Sequence, residues 1–178
     1  MTSYYEWDSK KEKFVKKPRP PRRSYAKVVY KLATNTDKHK ILDFETECIK
    51  TEPDIYLHIP DFNDFKKKLK LVNFNKAKDF AVVIAVVVSK IVGLLSMSWY
   101  YNYDMKCKVG LITDIWVLKS HRMASIGTGL INFAKKRFKR LGIKRIELIV
   151  GTKNLAAQEF YKKLGFKIRI VGQAILQI

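Results

Sequence analysis

Residues 80–99 read FAVVIAVVVSKIVGLLSMSW, an apolar run long enough to cross a bilayer as a helix. How this run is resolved limits everything else the chain can fold into. Ser89 and Lys90 stand at its midpoint, where a lysine is costly in lipid. Valine and isoleucine dominate its composition and favour strands over helix. Two buried strands joined by a tight turn at Ser89-Lys90 satisfy both facts, so the chain is expected to have no membrane span.

Around this hairpin the pattern supplies further elements. Lys27–Ala33 reads as a strand. Asp37–Lys50 carries Ile41, Phe44, Cys48 and Ile49 at helical spacing. Pro60 is expected to open a second helix as its first residue, with Phe62, Phe65, Leu69 and Val72 on one face. Strands are expected at 79–88, 91–103 and 107–118. Ser125–Leu141 is an amphipathic helix: Ile126, Leu130, Phe133, Phe138 and Leu141 oppose Lys135, Lys136, Lys139 and Arg140, and Gly142 ends it. Lys144–Val150 is a strand, Leu155–Leu164 a helix capped by Asn154 and closed by Gly165, and 166–171 and 174–178 final strands. A meander followed by strand–helix–strand–helix–strand points to an α/β chain with a mixed sheet carrying helices on its faces.

The 178 residues suit one compact domain with a tail. Residues 1–24 hold eight basic and three acidic residues and end in Pro18, Pro20 and Pro21, which favour an extended path. They are read as an arm, and 25–178 as the domain. Hydrophobic residues make up 47%, which excludes wholesale disorder. Against 36 Lys+Arg stand 16 Asp+Glu, a formal charge of +20. Such a field draws in anions, whether nucleic acid, a phosphorylated cofactor or an acidic protein. Cys48 and Cys107 form no CxxC, and His39, His58 and His121 are scattered, so no metal site is expected. Without an apolar leader at its N-terminus, the chain is read as cytoplasmic.

The chemistry concentrates in the C-terminal third. Between the strand ending at Leu118 and the helix after it lies His121-Arg122-Met123-Ala124-Ser125-Ile126-Gly127-Thr128-Gly129. A strand-to-helix turn of small residues leaves backbone N–H groups at the positive helix end, an anion site on physical grounds. Ile115-x-Val117, then Arg122-x-x-Ser125-x-Gly127, then Asn154-x-x-Ala157-x-x-Phe160-Tyr161-x-x-x-Gly165-Phe166 follow in order. Here the sequence resembles the GNAT N-acetyltransferase family, whose strand ends in L-x-V. A loop R/Q-x-x-G-x-G/A follows that strand, and N-x-x-A-x-x-F-Y-x-x-x-G-F comes later.

The resemblance implies the GNAT fold, a mixed sheet of six to seven strands with about four helices, and acetyl-CoA as co-substrate. It assigns Ile115, Trp116 and Val117 to a bulge where two parallel strands splay, with the Val117 N–H polarising the thioester carbonyl. Backbone N–H groups of Met123, Ala124, Ser125, Ile126, Gly127 and Thr128 would hold pyrophosphate, with Arg122 adding charge. Asn154 would bond the pantetheine arm, although it reads equally as a helix cap. Tyr161 would be the general acid, although a core aromatic beside Phe160 explains it too. Ser125 replaces the first loop glycine of the family pattern, which requires strain if φ is positive there. Where many members carry a glutamate base, Leu111 and Ile149 are apolar, leaving Asp114, Glu147 and His121 nearby.

The implied function is direct acetyl transfer to a primary amine. Repulsion of polycations by the +20 field favours a protein or peptide acceptor over polyamines. A nucleic-acid-associated protein of the same fold, and a CoA-binding member without turnover, are the alternatives. A homodimer is left open.

Overall fold

The computed structural model describes residues 3–8, 13–18, 27–52 and 61–170. They fall into two compact units. The larger, Arg22–Ile149, holds strands β3 (Val29–Leu32), β4 (Phe80–Val87), β5 (Lys90–Asn102), β6 (Cys107–Val117) and β7 (Arg145–Leu148). Helices α1 (Lys38–Thr51), α2 (Phe62–Leu71) and α3 (Ile126–Arg140) complete it. The smaller comprises Met1–Pro21 and Val150–Ile178. Its β1 (Ser3–Asp8) pairs antiparallel with β2 (Lys13–Pro18), and its helix is α4 (Leu155–Lys163).

The apolar run becomes β4 and β5. Val83, Ile84, Ala85, Ile91, Val92, Leu94, Leu95 and Met97 are all buried, and the lack of alternation follows from cover on both faces of the sheet. The hairpin turn falls one residue earlier than expected. Val88 and Ser89 take φ of 44° and 67°, the two positive values that a two-residue primed turn demands. Lys90 is already in the ladder opposite Val87.

Sheet order in the larger unit is β3-β4-β5-β6-β7, antiparallel except for the parallel β6–β7 pair. The sheet therefore has five strands among the described residues, against the six to seven expected. Residues 166–170 carry no strand, and 174–178 lie outside the described residues. Residues 3–8 and 13–18, read as part of an extended arm, are extended and pair with each other as β1 and β2, with Pro18 at the strand end opposite Ser3. Pro20, Pro21 and Pro60 lie outside the described residues. Asp61 caps α2, its carboxylate accepting from the Asn63 N–H at 2.7 Å. No helix among the described residues is long and apolar enough to cross a membrane.

Helix α3 lies on one sheet face through Ile126, Leu130, Ile131, Ala134 and Phe138, each at most 1% exposed. Three glycines let it approach closely. An ideal Cβ on Gly110 of β6 would stand 2.7 Å from the Phe138 ring, and one on Gly93 of β5 3.1 Å from Ile126 and Leu130. A Cβ on Gly129 would meet the Tyr30 ring at 2.1 Å. On the helix side, Ile41, Phe44, Glu45 and Cys48 of α1 are buried.

Gly110→Ala is expected to displace Phe138, which is fully buried, and to cost about 1–3 kcal/mol in overpacking. Urea unfolding of the two proteins measures it. A loss below about 0.5 kcal/mol would show that the α3 interface is slack.

Candidate functional site

The site is built at the end of β6. Parallel pairing with β7 runs from Val109–Arg145 to Ile112–Leu148 and stops there, while β6 continues to Val117 bonded to β5. Just beyond Ile112 the β5 register shifts: Met97 faces Ile112 but Ser96 faces Asp114, leaving Thr113 as a one-residue bulge. The bulge thus lies at Thr113, two residues short of the expected Ile115.

Past the bulge the ladder has a definite phase. Leu118 N–H donates to Val92 O at 3.0 Å, so 118–92 is a hydrogen-bonded pair. Alternation makes Trp116–Leu94 and Asp114–Ser96 bonded pairs, and Val117–Gly93 and Ile115–Leu95 non-bonded ones. The N–H and C=O of Ile115 and Val117 therefore point away from β5, into the gap where β7 no longer pairs. Their side chains share the α3 face with Gly93. Asp114 and Trp116 turn to the α1 face.

The chain then passes the buried Leu118 and a short 3-10 turn at Lys119–His121 before Arg122. Met123 and Ser125 both adopt left-handed backbone, φ 66° and 61°. This is the strain that a serine in place of glycine implies, on the order of 1–2 kcal/mol for a residue with a Cβ. Ser125 is the N-cap of α3 but its hydroxyl makes no capping bond. The first helical bond is Gly129 N–H to Ser125 O, 3.0 Å, so the N–H groups of Ile126, Gly127 and Thr128 have no acceptor within the helix. They converge at its positive end, a geometry suited to an anion.

Arg122 does not point its charge freely at this end. Its Nε donates to Val117 O at 2.9 Å and Nη1 to Glu52 Oε1 at 2.9 Å, while Nη2 bonds Glu52 Oε2. Its guanidinium lies over the Trp116 ring at 5.4 Å. Glu52, at the C-terminus of α1, went unnoticed in the sequence.

On the α1 face, Glu45 is 5% exposed. Burial first, and the Asp114 charge second, push its carboxyl up to about 8. The signal for it was present: Glu45 lies four residues after Ile41 and three before Cys48, on the buried stripe. Cys48 is fully buried, and burial, then Glu45 and Glu52, hold its thiol protonated far above the usual range. That state does not suit a nucleophile. Glu147 accepts from Arg145 Nε at 2.5 Å, and His121 Nδ1 shares a 2.9 Å bond with Ser120 Oγ.

In the smaller unit, Asn154 is the N-cap of α4, its side chain accepting from Ala157 N–H at 3.1 Å. Tyr161 is 6% exposed, with its ring 5.3 Å from Phe160 and 5.7 Å from Phe166. Gly165, φ 89°, ends the helix so that Phe166 N–H returns to Tyr161 O at 3.1 Å.

Two measurements test this account. Folded Glu45 keeps its proton up to about 8 while the unfolded group releases it near 4.5, so stability falls as pH rises through that window. Glu45→Gln is expected to flatten the fall, matching the parent near pH 5 and exceeding it at pH 8 by on the order of a few kcal/mol. Parallel pH profiles for parent and variant in urea unfolding would refute it. Ser125→Gly relieves left-handed strain but gains unfolded-state freedom worth roughly 0.5–1 kcal/mol. Its melting temperature should be equal or a few degrees higher; a clear drop would give the Ser125 hydroxyl a structural role.

Known proteins carry the same plan. The Acetyltransferase (GNAT) family model matches residues 40–166. An uncharacterized N-acetyltransferase of Methanocaldococcus jannaschii is 40% identical over 81 residues, 46% of this chain and 35% of that protein. The chloroplastic GCN5-related N-acetyltransferase 6 of Arabidopsis thaliana is 25% identical over 143 residues, 64% of this chain and 49% of that protein. The chain thus matches between a third and a half of the length of these relatives. Among solved structures, aminoglycoside N-acetyltransferase AAC(6')-Iy in complex with CoA has a TM-score of 0.68 at 17% identity, covering 88% of this chain and 99% of that one. A ribosomal-protein-alanine N-acetyltransferase from Brucella melitensis has a TM-score of 0.65 at 12% identity, covering 85% of this chain and all of that one. With a β6–β7 pairing that stops at Ile112–Leu148, an α3 terminus of unpaired helix N–H groups and a family match over most of its length, this chain belongs to the GNAT acetyltransferase family.

Proposed function

We propose that the chain transfers an acetyl group from acetyl-CoA directly to a primary amine. The observation that carries this reading is the pair of outward N–H groups at Ile115 and Val117, beside the open α3 terminus at Ile126–Thr128. An extended strand edge suits an amide-bearing pantetheine arm, and helix-end N–H groups suit a pyrophosphate. Bound there, acetyl-CoA would supply the activated acetyl thioester.

The chain's own groups then divide the work. Val117 N–H faces the thioester oxygen and stabilises the negative charge that develops as the amine nitrogen attacks the carbonyl carbon. The carbon–sulfur bond breaks, and Tyr161 gives its phenolic proton to the departing thiolate. The amine arrives neutral, and after the attack its nitrogen sheds one proton to solvent water. Asn154 caps α4 and, in the same reading, bonds the pantetheine arm. The buried, protonated Cys48 plays no part in acyl transfer.

For the acceptor, the +20 charge favours an amine in an acidic peptide or protein over a polycation. Among the proteins of similar fold, acceptors named in their descriptions are as different as aminoglycosides and a ribosomal protein. A second reading rests on the exposed row Lys135, Lys136, Lys139 and Arg140 of α3, which would follow a nucleic-acid backbone.

Labelled acetyl-CoA offered with acidic peptides, proteins and small amines, read by mass, is expected to give acetylated peptide or protein. Tyr161→Phe should lower kcat at least tenfold with CoA affinity nearly unchanged; unaltered kcat removes Tyr161 from the mechanism. CoA binding without product would identify a member lacking turnover. Steeply salt-dependent nucleic-acid binding with no CoA binding would favour the second reading.

A further inference from the structure

We propose that Arg122 and Glu52 form a strut that sets the shape of the turn into α3, so that Arg122 acts on CoA binding by positioning rather than by touching phosphate. This rests on the acetyl-transfer reading above and concerns the same cofactor loop.

A cation at the start of an anion-binding loop invites the opposite view, but its donors are committed elsewhere. Nε holds the carbonyl of Val117 at 2.9 Å, and both terminal nitrogens grip the Glu52 carboxylate in the fork-to-fork arrangement open to arginine. The Trp116 ring covers the guanidinium at 5.4 Å. The Glu52 side chain is 8% exposed and that of Arg122 37%, so the pair is partly withdrawn from water and its charges offset each other. A phosphate brought close to Arg122 would meet the Glu52 charge as well.

Both anchors are themselves fixed. Val117 O belongs to the free edge of β6. Glu52 is the C-cap of α1, its N–H bonded to Cys48 O at 3.0 Å. Between them Arg122 pins the first residue of a turn whose next residues include two in left-handed backbone, Met123 and Ser125. Such conformations persist only where their surroundings over-determine them. Released at Arg122, the turn has an easier path through ordinary φ values, and the N–H groups of Ile126, Gly127 and Thr128 would then lose their common aim. The strut also ties the cofactor loop to α1, the helix that carries Glu45, so a disturbance at either end reaches the other.

The test is calorimetric titration of CoA into the full chain, with the parent and with Glu52→Gln, Arg122→Gln, Arg122→Lys and the double Glu52→Gln/Arg122→Gln, at low and high salt. Each single change is expected to raise Kd about tenfold. The double should be no worse than the weaker single, because both remove one interaction. Arg122→Lys should fail as Arg122→Gln does, since an ammonium cannot span a carboxylate and a carbonyl in that fork. The salt dependence of CoA binding should stay parallel to the parent's in all variants. A Glu52→Gln that binds CoA as tightly as the parent or more tightly, with Arg122→Gln weakened and its salt dependence flattened, would make Arg122 a phosphate ligand and overturn the strut. If the glutamine variants unfold, Glu52→Asp and Arg122→Lys are read in their place: both should weaken CoA binding with a salt dependence parallel to the parent's, and parent-like affinity in both overturns the strut. Failure of the parent to bind CoA would sink the acetyl-transfer reading alone. Melting temperatures of the same four corners then decide the strut, which requires non-additive losses.

Discussion

The whole site depends on a parallel ladder that ends early. β6 and β7 pair for four residues and part after Ile112 and Leu148, yet beyond the bulge at Thr113 β6 stays paired with β5 from Asp114 to Val117. A strand with one edge satisfied and the other open is normally a liability. Here the open edge is short, and the α3 terminus stands beside its end. What a sheet edge offers to another strand, this one offers to any extended chain of amides. The rest of the larger unit serves to hold that edge rigid: β4 and β5 are packed on both faces, and α3 is seated so closely that Gly93, Gly110 and Gly129 leave no room for a methyl group without movement.

Rigidity at the edge is matched by strain in the turn. Two residues with side chains sit in left-handed backbone at Met123 and Ser125, and an ion pair with a carbonyl contact holds the residue ahead of them. The cost of one is met by the other, which is how an irregular turn survives beside a well-packed core. Charge follows the same economy of placement. Lys67, Lys68 and Lys70 of α2 and Lys135, Lys136, Lys139 and Arg140 of α3 face water, whereas the carboxylates near the site, Glu45, Glu52 and Asp114, are gathered on the α1 side of the sheet.

Much of this was legible in the sequence. The Val/Ile run with a polar break gave β4 and β5 because periodicity and β-propensity agree there. The α3 stripe was legible at Ile126, Leu130 and Phe138, although the buried Ile131 and Ala134 were not read on it, and the turn after β6 and helix α4 fall where the pattern put them. The parts that were not legible are those settled by pairing between distant residues. Nothing local tells that Thr113 drops out of register, since a bulge depends on the partner strand. Glu52 looks like an ordinary helix-end acid until Arg122, seventy positions on, closes over it. The first helix predicted its buried stripe but left Glu45 unremarked, because a carboxylate at such a position contradicts the usual preference for apolar burial. The tail's prolines spoke for an extended path, but nothing local told that β1 would pair with β2. The hairpin turn was misplaced by one residue because Val88, β-branched, is a poor candidate for positive φ.

Thr113 carries a consequence of its own. Gly110 faces α3, and so do Ile115 and Val117, although an unbroken strand would send residues of odd and even number to opposite sides. The extra residue is a change of parity written into the strand. It lets one strand present an even-numbered surface to α3 in its first half and an odd-numbered one in its second. Asp114 is thereby kept off the apolar α3 interface and delivered to the side where Glu45 waits. For the gene, this makes β6 a segment with a reading phase: substitutions along it are graded in effect. Loss or gain of a single residue, by contrast, would exchange the two faces of everything that follows.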